Sequence, residues 1–315
     1  MTTPPPPARL RGDPGAILLR PVLQLTLFFE PTIAWAHETA PALLRSFLRL
    51  RSHRPPRLFR VSSDARWRPL PDPPSELAEA LAPSMFGAGL RPGFRLRIVD
   101  EPHAPSHAFV YREHDPEIGP PCGYLQVQLP FEADPDELLA LAIEAAQTAP
   151  LDQGSLGYAW SWSEALPRNA FHAVARRAQR LLGVDVTHAD RAVWHAHERL
   201  LTVSWLTLVG GRLAEALGLA SPAALAEPLS GSGASVLELT HACAIRAGDR
   251  PDVGDVHAMD APRIQAQVTR TLSPHLAGDV PALPGWFSEP DSPDDLAPEG
   301  RTAAFRRRLL LEGER

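Results

Sequence analysis

At 315 residues and 44% hydrophobic content, the chain can bury a substantial core, and no apolar run approaches the roughly 18 residues of a membrane-crossing helix. All 31 basic residues are arginine, against 37 carboxylates for a net charge of −6; with 35 prolines, this reads as a GC-rich codon preference rather than as phosphate recognition. The two distant cysteines, Cys122 and Cys243, exclude a disulfide framework or a CxxC metal site and point to a reducing cytoplasm, and the Pro-rich start lacks the charged-then-apolar pattern of a secretion signal.

In chain order, residues 1–15 are expected to be a disordered Pro/Arg/Gly-rich tail. Leu23, Leu25, Leu27 and Phe29 repeat at period two, which predicts a strand over 17–29. Ile33, Ala36, Ala40, Leu43, Phe47 and Leu50 then follow helical spacing, which Pro41 must kink or restart with Thr39 as N-cap. Phe94, Leu96 and Ile98 mark another strand, and segments 107–112 and 123–129 predict a hairpin. Asp134, Pro135 and Glu137 form a helix start, with Leu138, Leu141, Ala142 and Ala145 on its buried face.

A strand at 155–162 follows. Next comes a helix with Phe171, Val174, Ala175, Ala178, Leu181 and Leu182 on one side, stopped by Gly183. Trp205, Val209, Leu213 and Leu217 have the spacing of one more helix, ended by Gly218. A strand-like run at 236–247 and a helix capped by Asp260 complete the body. Residues 16–275 are thus expected to form one α+β domain, mainly antiparallel, with helices packed on one face. Residues 276–315 read as a Pro/Asp-rich extension, with a short terminal helix at Arg306–Leu311.

Charge is uneven. Residues 1–100 hold 14 Arg against 8 acids, and residues 101–315 hold 17 Arg against 29 acids, so the C-terminal two-thirds suits a basic partner and disfavours direct contact with nucleic acid. Within it, Gly248–Asp255 carries Asp249, Asp252 and Asp255. The loop lacks the spacing of a calcium-binding or phosphate-cradling loop; it reads either as a turn whose carboxylates bond backbone amides or as an acidic contact surface. Tyr158, Trp160 and Trp162 share one face of a strand, either as core or as an aromatic interface platform. Asp190, His195 and His197 lie close in sequence but lack metal-ligand spacing, and Gly231–Ser235 is not a nucleophile turn. Residues 42–68 carry eight Arg and one Asp, a solvated face or a nucleic-acid patch.

Three spaced segments carry a resemblance. They are Gly157-Tyr158 followed by Gly183–Asp185, then Trp205–Thr207, and finally Ile245–Gly248 with Pro251 and Gly254–Val256. In this order they resemble the bacterial type VI secretion immunity proteins that pair with VRR-NUC nuclease toxins, with Ser204 standing where an Asn is expected before the Trp. The resemblance implies a strand that enters a helix through Trp205–Thr207. It further implies a non-enzymatic cytoplasmic immunity protein without catalytic residues, metal or cofactor, which binds a cognate nuclease toxin and blocks its DNA-binding or active surface. The partner-binding candidates are then Asp249, Asp252, Asp255, Trp160 and Trp162. The alternative is a nucleic-acid-binding or regulatory module that uses the arginines of 42–68.

Overall fold

The computed structural model describes residues 10–11, 17–50, 54–61, 66–72, 76, 94–114, 119, 122–178, 180–219 and 222–277. The expected terminal helix at 306–311, and most of both expected tails, lie outside these residues. Of the tails, Leu10–Arg11 form a short strand, β1, beside Leu19 and Ile17, and Ala277 is buried.

The described strands form one 11-stranded sheet in which every strand pair is antiparallel. Its axis is β2 (Ile17–Phe29). On one side β2 pairs with β7 (Gly123–Pro130), which leads outward through β6 (Ala108–Arg112) and β5 (Arg95–Val99) to β3 (Leu58–Val61) and β4 (Arg68–Pro69). On the other side it pairs with β8 (Gln153–Trp162), followed by β9 (Leu206–Gly210), β11 (Ala242–Ala247) and β10 (Ala234–Glu238). The period-two pattern of β2 is thereby explained: Leu23, Leu25, Leu27 and Phe29 enter the largest core cluster, and Phe28 enters a different one.

Helices cover both faces of the sheet, not one. Helix α1 (Ala40–Arg49) and α2 (Pro135–Thr148) supply Leu43, Phe47, Leu138 and Leu141 to the cluster that holds Leu25, Leu208 and Ala244. The next residue after Leu208, Val209, belongs to the opposite side, against Leu213 of α5 (Gly211–Ala216), Leu225 and Leu229 of α6 (Pro222–Leu229), and Val268 and Leu272 of α7 (Arg263–Leu272). A third patch packs Phe28, Val110 and Tyr124 under Ala189 and Ala192 of α4 (Ala189–Ala192) and the turns that follow. Helix α3 (Pro167–Ala178) lays Ala173, Val174 and Ala178 against Leu19 and Trp160. The sheet is therefore a middle layer, with β2 apolar on the Leu23–Leu27 side and carrying buried Arg20, Gln24 and Thr26 on the other.

Several local expectations change for physical reasons. Pro41 offers no amide to a helical ladder, and the chain absorbs this with a turn of π-helix at Trp35–Thr39, where Ala40 donates to the Trp35 carbonyl. Thr39 is helical and caps nothing with its side chain. Asp134 does cap α2, accepting from the Asp136 amide at 3.3 Å. The run from Trp205 to Leu217 is not one helix but β9 turning into α5 at Gly210–Gly211; Trp205–Thr207 lead into the strand and do not join it to the helix. A Cβ on Gly210 would fall 1.7 Å from the Leu151 carbonyl oxygen, so only glycine fits at this crossing. The single strand expected at 236–247 is a hairpin, β10–β11. Helix α7 starts after Pro262 without a side-chain cap; the cap in that region is Asp255, on a short 3-10 turn at Val256–Ala258. Gly183 does not end a helix, since α3 stops at Ala178. It permits close approach instead: its amide donates to the Val253 carbonyl at 3.0 Å, and a Cβ there would lie 2.0 Å from the Asp252 oxygen.

Candidate functional site

The loop Gly248–Asp255 is pinned at both ends. Gly248 takes a positive φ of 83°, and its carbonyl accepts from the indole Nε1 of Trp205 at 3.0 Å. At the far end, Leu182 and Gly183 donate to Gly254 and Val253 at 2.9 and 3.0 Å. Trp205 itself is only 2% exposed, so the loop hangs from a core residue.

Within this frame the three aspartates have different tasks. Asp252 accepts from the Gly254 amide at 2.9 Å, and burial raises its pKa against the effect of that amide. Asp255 accepts from the His257 amide at 3.0 Å and receives both arms of the Arg180 guanidinium, which holds its carboxyl below the usual range. Asp249 is fully open to solvent, with Arg246 3.8 Å away.

The structure also gathers residues that the sequence keeps more than a hundred positions apart. Arg250 reaches the N-terminus of α2, 2.6 Å from Asp134 and 3.9 Å from Asp136. Its hydrogen bond is the main reason the Asp134 carboxyl sits below its ordinary value. Exposed Glu132 adjoins them, and half-buried Tyr158 stacks on Phe131 with ring centroids 4.3 Å apart. The phenol of Tyr158 is pushed up by burial and then by Asp252. The result is an acidic surface in which Arg250 bridges the loop to Asp134 and Asp136, with Glu132 and Asp252 near Tyr158 and Asp249 beside Arg246. The sequence offered Asp134 and Asp136 only as helix-start residues, and nothing in the spacing joined them to the loop.

The aromatic residues of β8 go to different places. Trp160 is 1% exposed beneath α3, so it presents no surface to a partner in this conformation. Trp162 is partly exposed and sits 5.4 Å from the His188 ring and 5.8 Å from Phe171. It borders a cleft of about 210 Å³ on the sheet face opposite the Leu23–Leu27 core. There Glu164 and Asp190 lie among Arg60, Arg95, Arg97 and Arg112. Asp190 accepts from the Tyr124 hydroxyl at 2.6 Å and pairs with Arg112. Burial works to raise its pKa, but Arg95 and Arg112 prevail and hold it at about 2. Asp190 is thus committed to the cleft, whereas His195 and His197 face Glu198.

The arginines of 42–68 are in part occupied within the molecule. Arg57 donates to the Asp100 carbonyl at 3.4 and 3.3 Å, Arg60 lies 4.7 Å over the Trp67 ring, and Arg54 is 3.9 Å from Glu101. Arg45 and Arg49 are exposed on α1.

A family model described as TsiV, type VI immunity for VRR-NUC, matches residues 103–293, more than half of the chain. Among solved structures, the fold is similar to that of the Pseudomonas aeruginosa T6SS protein PA0821, with a TM-score of 0.75 and 21% identity over 96% of this chain and 87% of that one. No curated protein sequence matches at a significant level. The matched span takes in β6 to β9, the acidic loop and the helix start at Asp134.

Proposed function

Since the chain belongs to the type VI immunity family for VRR-NUC, we propose that it binds a cognate VRR-NUC nuclease effector and neutralises it by covering the DNA-binding or active surface. The family match over 103–293 carries this reading. The acidic surface around Asp134, Asp136 and Asp249 supports it chemically. A nuclease needs a basic groove for the phosphate backbone, and a negatively charged inhibitor is attracted to that groove and accelerated toward it. Nothing in this reading requires catalysis by the chain itself. The site of action we infer is the cytoplasm, where the DNA to be protected lies; among the described residues no helix is long and apolar enough to cross a membrane.

The test is a plasmid-cleavage assay with the purified effector. Equimolar addition of this chain should protect the DNA, and the two proteins should co-elute in size-exclusion chromatography. The chain alone, with magnesium or manganese, should leave the plasmid intact. Undiminished cleavage in the presence of excess chain, with no complex formed, would overturn the proposal.

A further inference from the structure

Met259 combines two features that folding alone does not call for. It takes a positive φ of 53°, which only Ala104 shares among the described non-glycine residues. It is also 93% exposed, the most open of the large apolar side chains that reach solvent there. A left-handed backbone costs a residue with a Cβ energy that glycine avoids, and helical turns commonly end on glycine or asparagine for that reason. Burial of the Met259 side chain does not offset this cost, since the side chain is almost wholly in water.

The turn that carries it is fixed. Asp255 opens the 3-10 turn Val256–Ala258; its carboxylate accepts from the His257 amide at 3.0 Å and takes both arms of Arg180. The Asp255 carbonyl accepts from the Ala258 and Asp260 amides at 3.0 and 3.2 Å, and the Met259 amide donates to the Val256 carbonyl at 3.2 Å. The Val256 amide in turn donates to the Arg180 carbonyl at 3.0 Å. Beyond the turn the chain comes back against Gly254, where a Cβ would lie 2.5 Å from Pro262 Cδ. These contacts hold the Met259 backbone in place, so its side chain projects from a set position.

The surroundings are acidic. Asp260 is the next residue and is exposed. Burial first, and then the nearby Asp260 charge, raise the Asp252 carboxyl; burial first, and then Asp252, raise the Tyr158 phenol. The turn is thus continuous with the surface that Arg250 extends to Asp134 and Asp136. An apolar centre with a charged rim is the usual anatomy of a protein interface. Methionine suits the centre, because its unbranched, polarisable chain adapts to the shape of a pocket. The rim selects the chemistry of the occupant, which must be basic around an apolar hollow.

We propose that Met259 anchors the nuclease effector, its side chain entering an apolar pocket bordered by basic residues while Asp249, Asp252 and Asp260 face that border. This rests on the immunity function proposed above and adds a contact residue to it. The carboxylates attract the effector from a distance and Met259 holds it once docked, so the two act on different rate constants.

The test uses the full-length chain and the purified effector, with association and dissociation followed by surface plasmon resonance and stability by urea unfolding. Met259→Gly removes the side chain and relieves the left-handed backbone. It should unfold at a urea midpoint no lower than that of wild type and release the effector about tenfold faster, with association within about twofold. Met259→Leu keeps an apolar chain of similar volume and should dissociate within about threefold of wild type. A methionine that served only the fold could not give this pairing, because its loss would lower the midpoint. Wild-type dissociation of Met259→Gly would overturn the proposal and leave the immunity function standing. A midpoint well below wild type would overturn it too, by assigning the side chain to the fold. Failure of the wild-type chain to form a complex with the effector would overturn both.

Discussion

The acidic surface and the buried cleft are made of the same residue types, and solvent decides what each can do. At the surface, Arg250 bridges two carboxylates, and Asp134, Asp136 and Asp249 have side-chain exposures of 54%, 59% and 101%. Water screens such pairs, so each contributes little to stability, yet their summed field extends outward and can steer a partner. In the cleft Arg97 pairs with Glu164 and is almost wholly buried. There the loss of one partner leaves a poorly solvated charge behind, so the same kind of ion pair becomes rigid and costly to break. One region is suited to encounter, the other to holding a fixed arrangement.

The largest expected effect comes from the residue that ties the acidic loop to the core. Trp205 is 2% exposed and donates to the Gly248 carbonyl. Trp205→Ala should cost about 3–5 kcal/mol in denaturant unfolding, as a large-to-small core change. A loss below about 1 kcal/mol with the fold intact would show that the indole is dispensable and that the loop is held from its other end, through Leu182 and Gly183.

The cleft should respond next. Since the Asp190 carboxyl is held at about 2, below the ordinary carboxylate value of 3.8, its contribution is fully present above about pH 4 and is lost as pH falls through about pH 2. A depression of this size corresponds to about 2–3 kcal/mol. Asp190→Asn should therefore lower stability by about that amount at neutral pH, and should flatten the fall between pH 4 and pH 2. Parallel stability–pH curves for wild type and variant would show that Asp190 does not anchor the cleft.

How much of this was legible in the sequence depended on whether the signal was local. The β2 strand was readable because one of its faces carries an unbroken run from Leu23 to Phe29. The helix at Asp134 was readable because its start lies in consecutive residues. The stretch from Trp205 to Leu217 was not: β9 is buried on both faces, so it shows no alternation, and its apolar residues fall by coincidence at helical intervals into α5. The β10–β11 turn, at Leu239–His241, contains none of the usual turn residues. The cleft was invisible for a different reason. Arg60, Arg95, Arg97, Arg112, Glu164 and Asp190 come from six places in the chain, and in a lysine-free sequence an arginine carries little information by itself. The acidic loop was found, but not its true extent, because Asp134 and Asp136 join it only through Arg250.

The smallest effect on stability should fall on the acidic surface, and there a rate is the informative quantity. Asn caps a helix about as well as Asp, so Asp134→Asn retains the bond to the Asp136 amide, and Asp249 has only a distant exposed arginine to lose. The double variant Asp134→Asn, Asp249→Asn should unfold at a denaturant midpoint close to that of wild type. Its association with the proposed effector should nonetheless be slower, by up to about tenfold at low salt, with dissociation little changed. The gap should close as salt is raised, because the screening length falls from about 10 Å at 0.1 M to about 3 Å at 1 M. Asp255→Asn should show the reverse pattern. Its carboxylate is engaged by Arg180 and the His257 amide, so neutralising it should loosen the loop and lower the melting temperature more than it slows encounter. If the double variant associates at the wild-type rate with an unchanged salt slope, this surface is not the one that meets the effector. The partner-facing role would then pass to another face of the sheet, whether or not the chain neutralises the nuclease.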